Sequence, residues 1–105
     1  MAPPRKALIA VTSAHAPLYD GGKETGAFIT EVLHPYKVFK AAGFDVDLVS
    51  ETGTAQPDWL STTDDWLPAD DRAIWENKSG EFRQKMDHLL VPNHVRADDV
   101  SSDSL

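Results

Sequence analysis

The sequence predicts an incomplete α/β fold, in which a strand–helix–strand unit carries a small helical cap. Two segments, residues 7–12 and 44–50, have the apolar patterns and the lengths of β-strands. The segment between them places apolar side chains at helical spacing. A sheet of this class usually has about five strands, so the two predicted strands leave the sheet unfinished.

The composition of the chain argues against several classes of function. At 105 residues the chain allows one domain, and 41% hydrophobic residues are enough to fold. Seventeen acidic and ten basic residues give a net charge of -7, which repels nucleic-acid backbones and anionic lipids. No apolar run approaches the roughly 20 residues that span a bilayer, and the amino terminus has no signal-peptide pattern. We expect a cytoplasmic protein, with the nucleus as an alternative, and no nucleic-acid or membrane partner.

The first predicted strand, residues 7–12, is a continuous apolar run of the kind found in parallel strands buried on both faces. A polar loop, residues 13–23, follows at the carboxyl end of the strand, where open α/β sheets hold ligands. The pair Gly21-Gly22 in this loop could cradle a phosphate, but the spaced-glycine fingerprint and the P-loop lysine motif are both missing. We therefore interpret the pair as a flexible turn.

A helix is predicted over residues 31–42, with Thr30 as its N-cap. Pro35 would break the interior of a helix but costs little near the first turn, so it places the start of the helix here rather than further back. Gly43 ends the helix, and the second strand, residues 44–50, completes a right-handed βαβ unit. The apolar stripe that faces the sheet consists of Val32, Leu33, Tyr36 and Phe39.

Glu31 is the one acid whose setting predicts chemistry. It lies between the apolar pairs Phe28-Ile29 and Val32-Leu33. A helix that buries those pairs would draw the carboxyl toward low dielectric, where the protonated form is favoured and the pKa rises. Such a carboxyl is suited to general acid/base catalysis. The alternative is a solvated acid that is stabilised by the positive end of a helix.

The region around Glu31 also contains one feature of a metal site. Glu31 and His34 have the Glu-x-x-His spacing of carboxylate-bridged metal sites, but such sites need two motifs of this kind and further glutamates. Cysteine is absent from the chain, which excludes disulfides, thiolate metal sites and a cysteine nucleophile. We therefore expect no metal site.

The segment that follows Gly53 differs in composition from the predicted βαβ unit. It is acidic, is split by Pro57 and Pro68, and predicts short helices over one end of the sheet. A longer helix is predicted over residues 79–90, with Ser79 as its N-cap. The segment also carries the three tryptophans of the chain, Trp59, Trp66 and Trp75. We favour packing beneath the cap over stacking on a ligand as their role.

A set of residues between 25 and 53 carries a family resemblance: Thr25-Gly26, Phe28, Glu31, His34-Pro35, Phe39, Ala42-Gly43-Phe44, Val46-Asp47, Val49-Ser50 and Gly53. Together they resemble the amino-terminal unit of the ThiJ/PfpI superfamily, and within it the heat-shock-type glutathione-independent glyoxalases (glyoxalase III, D-lactate dehydratase). The resemblance covers nearly the whole chain and thins after about Asp99.

The resemblance implies the amino-terminal βαβ part of a flavodoxin-like, class I glutamine amidotransferase-like parallel sheet sandwich. Residues 1–99 would form a partial domain, made of a βαβ unit (1–53) and a cap with its helix (54–91). Residues 100–105 would form a polar tail of disordered type. A third strand does not follow in the sequence.

The resemblance also implies an activity. In the resembled enzymes a cysteine adds to the aldehyde of methylglyoxal, and the glutamate aligned with Glu31 moves protons between the two substrate carbons to give D-lactate. No dissociable cofactor is required, because the thiol holds the substrate covalently. The cysteine and the histidine after it would lie in a carboxyl-terminal half. Glu31 is therefore the candidate catalytic residue, a general acid/base.

Two functions stay open at this point. The chain could be the truncated amino-terminal part of a glyoxalase III-type lyase for methylglyoxal detoxification, inactive alone because it lacks the nucleophile. It could instead be a non-catalytic, chaperone-like or dimer-modifying module of the same stress-related superfamily. In either case the unpaired apolar edge of the sheet predicts a homo-oligomer. Methylglyoxal is expected as a partner only if the missing half is supplied.

Overall fold

The computed structural model describes residues 5–94, and within them a two-stranded parallel sheet forms the centre of the fold. Strand β1 is Lys6–Ala10 and strand β2 is Asp45–Val49. Helix α1, Ile29–Ala41, connects the two strands. The predicted α/β class, with parallel strands joined through a helix, is confirmed.

Two shorter helices follow the sheet, α2 at Ala69–Glu76 and α3 at Glu81–Asp87. Of all the helices in the described part of the chain, none is long and apolar enough to cross a membrane. The predicted polar tail, residues 100–105, lies outside the described residues, so its extent stays a prediction.

The hydrophobic core lies on one face of the sheet. That face carries Ala7 and Ile9 from β1 with Val46 and Leu48 from β2, and it packs against α1 and α3. On the opposite face Lys6 Nζ pairs with Asp47 Oδ2 at 3.4 Å, and Ala10 is exposed. The prediction that the first strand is buried on both faces is therefore wrong for the described chain, because its helices cover one face only.

Helix α1 presents the predicted apolar stripe to the core, with Val32, Leu33 and Tyr36 buried and Phe39 packed beside them. Its start differs from the prediction. The helix begins at Ile29, and Thr30 is not its cap. The Ile29 N–H instead donates to the Oγ of Ser61 at 3.1 Å. Because this cap comes from a residue distant in sequence, the local pattern placed the start two residues too late.

Helix α3 is shorter than the predicted helix over residues 79–90. Gly80 is its N-cap and the helix ends at Asp87, whereas the Ser79 hydroxyl donates to Asn77 Oδ1 at 3.2 Å. The chain then turns extended at Leu90, whose N–H donates to Leu48 O and whose carbonyl accepts from the Ser50 N–H. These two bonds cover the outer edge of β2 and end the helix early.

The tryptophans do not all pack beneath a cap. Trp75 packs against the core, where the guanidinium of Arg83 lies 4.0 Å from its ring centroid. Trp66 is 51% exposed and Trp59 is 36% exposed, with the Lys23 ammonium over the Trp59 ring. The packing prediction is therefore correct for Trp75 and wrong for the other two.

A buried carboxylate joins α2 to α1. The Asp71 side chain is 3% exposed and accepts hydrogen bonds from His34 Nε2 at 2.8 Å and Lys37 Nζ at 2.9 Å. Burial alone would raise the pKa of Asp71, but the hydrogen bonds from His34 and Lys37 outweigh it and hold the pKa below its usual value. The carboxylate is therefore ionised at neutral pH and ties the cap to the helix that carries Glu31.

Candidate active site

Two depressions open at the carboxyl end of β1, and they share Ala10, Val11 and Thr12. The smaller, of about 210 Å³, lies between β1 and the start of α1 and contains Glu31. The larger, of about 400 Å³, reaches the end of β2 and contains Glu51. The carboxyl ends of parallel strands are where open α/β sheets bind ligands, so the candidate site lies where the fold predicts one.

Glu31 stands in the first turn of α1 and lines the smaller depression together with Phe28. Its side chain is exposed, so the predicted burial of this carboxyl is wrong for the described chain. The physical reason is helical geometry: Ile29, Val32 and Leu33 turn toward the core, whereas Glu31 projects from a different side of the helix. The carboxyl faces the open end of β1 instead.

Contacts with the segment after β2 fix the position of the first turn of α1. Besides the Ser61 cap, the Ala27 N–H donates to Gln56 O at 2.7 Å, and the Asp58 N–H donates to Ala27 O at 2.8 Å. A Cβ on Gly26 would lie 1.9 Å from the same Gln56 oxygen. Only glycine allows this close approach, which explains the Gly26 that belongs to the family resemblance.

Asp58 completes this support. It is buried, and its carboxylate accepts hydrogen bonds from the Tyr19 hydroxyl at 3.0 Å, the Leu60 N–H at 3.0 Å and the Gly26 N–H at 3.3 Å. The sequence reasoning missed Asp58 and Ser61. A local signal existed for Asp58, since an aspartate that bonds the backbone two residues onward forms a turn, but its contacts with Tyr19 and Gly26 are non-local.

Phe28, which lines the depression with Glu31, packs against a second aromatic side chain. The ring of Phe28 meets the ring of Trp66 edge to face, with centroids 5.8 Å apart and an interplanar angle of 89°. Trp66 stays half exposed in this position. The depression that contains Glu31 therefore has an apolar ring, that of Phe28, in its lining.

The other predicted features lie apart from this depression. Gly21 and Gly22 form a turn with φ of 76° and 77°, inside a loop that the bridge between Ala16 and Thr25 closes. His34, the partner of Glu31 in the Glu-x-x-His spacing, is bonded to Asp71. Within residues 5–94, no group of three or more histidine and acidic side chains is arranged to hold a metal ion.

Comparison with known proteins identifies relatives that match about nine-tenths of the chain. No family model matches. The chain is 40% identical over 96 residues, 91% of its length, to the glutathione-independent glyoxalase HSP31 of Saccharomyces cerevisiae. It is also 40% identical over 94 residues to glyoxalase 3 of Candida albicans. The crystal structure of glyoxalase III from Candida albicans matches 91% of this chain with a TM-score of 0.83 and 36% identity.

The chain spans 40% of the length of each of these proteins. The two-stranded sheet with its helices is accordingly an incomplete flavodoxin-like fold. The relatives and the solved structure thus confirm the resemblance that the residues around Glu31 carry: the chain belongs to the glutathione-independent glyoxalases of the ThiJ/PfpI superfamily, of which it represents an amino-terminal portion.

Proposed function

We propose that this chain supplies the acid/base part of a glyoxalase III-type site, which converts methylglyoxal to D-lactate once a carboxyl-terminal part supplies the nucleophile. The observation that carries the proposal is the position of Glu31. Its exposed side chain lines a depression at the carboxyl end of β1 together with Phe28, whose ring packs against that of Trp66.

The sheet supports the proposal because residues 5–94 leave one of its edges, next to Glu31, without a further strand. The outer edge of β2 is covered by Leu90 and by Lys85 Nζ, which donates to Val46 O. A further strand can therefore add beside β1. If it runs parallel to β1, its carboxyl end arrives at the depression that contains Glu31. A residue that follows such a strand would face the Glu31 carboxyl.

The chemistry fits a carboxylate in that place. A thiol adds to the aldehyde carbon of methylglyoxal and gives a hemithioacetal. Glu31 takes the proton from that carbon and returns one to the neighbouring carbon, which leaves a lactoyl thioester. Water then releases lactate and the free thiol, so methylglyoxal and one water yield one lactate.

The chain has no cysteine among its 105 residues, so it cannot form the thioester by itself. The test is a fusion in which this chain replaces the matching segment of glyoxalase 3 from Candida albicans. We expect lactate from methylglyoxal with the fusion and none above the buffer rate with the isolated chain. The unmodified relative, prepared in parallel, is the positive control. A folded fusion that forms no lactate while the relative is active would overturn the proposal.

A further inference from the structure

The carboxyl of Glu31 is placed by its backbone rather than by side-chain partners. Its side chain is exposed and makes no hydrogen bond or ion pair with another of residues 5–94. The Glu31 N–H donates to Phe28 O at 3.1 Å in the first turn of α1, where backbone N–H groups lack the partners available further along a helix. The contacts that hold this turn therefore determine where the carboxyl lies.

One buried hydroxyl holds the start of this turn. Ser61 is fully buried, and its Oγ accepts from the Ile29 N–H at 3.1 Å and donates to Asp58 O at 2.7 Å. Because the bond to Asp58 uses the single hydroxyl proton, a lone pair of the oxygen remains for Ile29. Glu31 lies two residues beyond Ile29, about 3 Å further along the helix axis, so the Ser61 hydroxyl acts close to it.

The turn that carries Ser61 is itself held in place. The buried carboxylate of Asp58 accepts from three donors of the described chain, among them the Gly26 N–H, and the Asp58 N–H donates to Ala27 O. The turn therefore contacts the chain at Gly26, Ala27 and Ile29, which leaves little slack in the segment that leads into α1. The position of the Ser61 hydroxyl is thus fixed before the helix begins.

We infer that Ser61 is a positioning residue for the acid/base, which it places through the amino end of α1. This inference rests on the proposed function of Glu31 and goes beyond it, because Ser61 does not line the depression that contains Glu31. A catalytic group must lie close to the reacting carbon, and a misplacement of about 1 Å can lower a rate by about 10²-fold. The bond from Ile29 to Ser61 restricts such a displacement.

Ser61→Ala in the fusion with glyoxalase 3 tests the inference. We expect kcat to fall by about 10- to 100-fold and KM for methylglyoxal to stay nearly unchanged, since Ser61 does not line the depression. Thr63→Val is the matched control. The Thr63 hydroxyl makes the same kind of bond within the turn, to Leu60 O at 2.7 Å, but no bond to α1 within the described chain. We expect this control to keep the kcat of the unsubstituted fusion.

Three further readouts separate positioning from a loss of stability. Methylglyoxal deuterated at the aldehyde carbon should show a larger isotope effect on kcat with Ser61→Ala, because transfer of that proton becomes slower relative to the other steps. In a Glu31→Gln background, Ser61→Ala should add little further loss, since a residue that acts through Glu31 then has no catalytic group to place. The Ile29 amide should exchange its hydrogen faster in Ser61→Ala than in Thr63→Val.

Asp58→Asn gives the same comparison if Ser61→Ala does not fold. It keeps the volume of the side chain but loses an acceptor for the Gly26 N–H, so it should lower kcat in the same direction. An unchanged kcat, an equal loss with Thr63→Val, or a full additional loss in the Glu31→Gln background would overturn the inference and leave the role of Glu31 intact. Full turnover by Glu31→Gln alone would overturn the proposed function as well, so the two failures are distinguishable.

Discussion

Replacing Glu31 by Gln in the fusion with glyoxalase 3 should lower the rate of lactate formation by about 10²–10⁴-fold, the usual contribution of a general acid/base. The amide keeps the shape of the side chain but cannot exchange a proton. Glu31 is exposed in the isolated chain and lies outside the core, so the substitution should leave the melting temperature nearly unchanged. The measurement is turnover at saturating methylglyoxal, with circular dichroism as the check on folding.

Glu51→Gln is the matched control for this prediction. Glu51 is also an exposed acid at the carboxyl end of a strand, but it lines the larger depression at the end of β2. We expect its substitution to change turnover only slightly. If Glu31→Gln retained more than about a tenth of the rate, the acid/base role of Glu31 would be wrong.

Asp71→Asn should destabilise the chain by about 1–3 kcal/mol, the penalty for weakening buried hydrogen bonds to charged groups. The larger cost of an unpaired buried charge does not apply, because the side chains of His34 and Lys37 are 56% and 41% exposed and stay hydrated. Asp70→Asn is the matched control, since that neighbouring side chain is 80% exposed. Thermal melting at neutral pH measures both, and equal effects would contradict the account.

The same pair of variants tests the pH dependence. The pKa of Asp71 is lower in the folded chain than its ordinary value, so its contribution to stability is present above the unfolded pKa and is lost as the pH falls through the folded pKa. Glu81, whose pKa is also lowered, contributes in the same direction. The Asp71→Asn variant should therefore lose less stability than wild type between neutral and acidic pH. If wild type and Asp71→Asn lost the same amount of stability between neutral and acidic pH, Asp71 would not contribute to the pH dependence.

The local patterns of the sequence were sufficient to predict the strands and the buried stripe of α1, because the periodicity of apolar side chains depends on neighbours in the chain. They could not show the Ser61 cap, the contacts of Asp58 or the close approach at Gly26. Each of these joins segments that are far apart in sequence. The pairing of Leu90 with β2 could not be predicted either, because these two segments are also far apart in sequence.

The candidate site was predicted in part. The sequence and its resemblance pointed to Glu31, and the structure places this residue at the carboxyl end of β1. The exposure of its carboxyl could not be predicted, because burial depends on what covers the open edge of the sheet and not on the apolar residues beside it. The packing of Phe28 against Trp66 likewise depends on a tertiary contact.

The most direct measurement is a crystal structure of the fusion with a substrate analogue bound to its thiol. We predict that the added strand runs parallel to β1 along its outer edge, and that a carboxylate oxygen of Glu31 lies roughly 3–3.5 Å from the reacting carbon. A strand added elsewhere, or a Glu31 carboxylate that points into solvent away from the bound carbon, would contradict it.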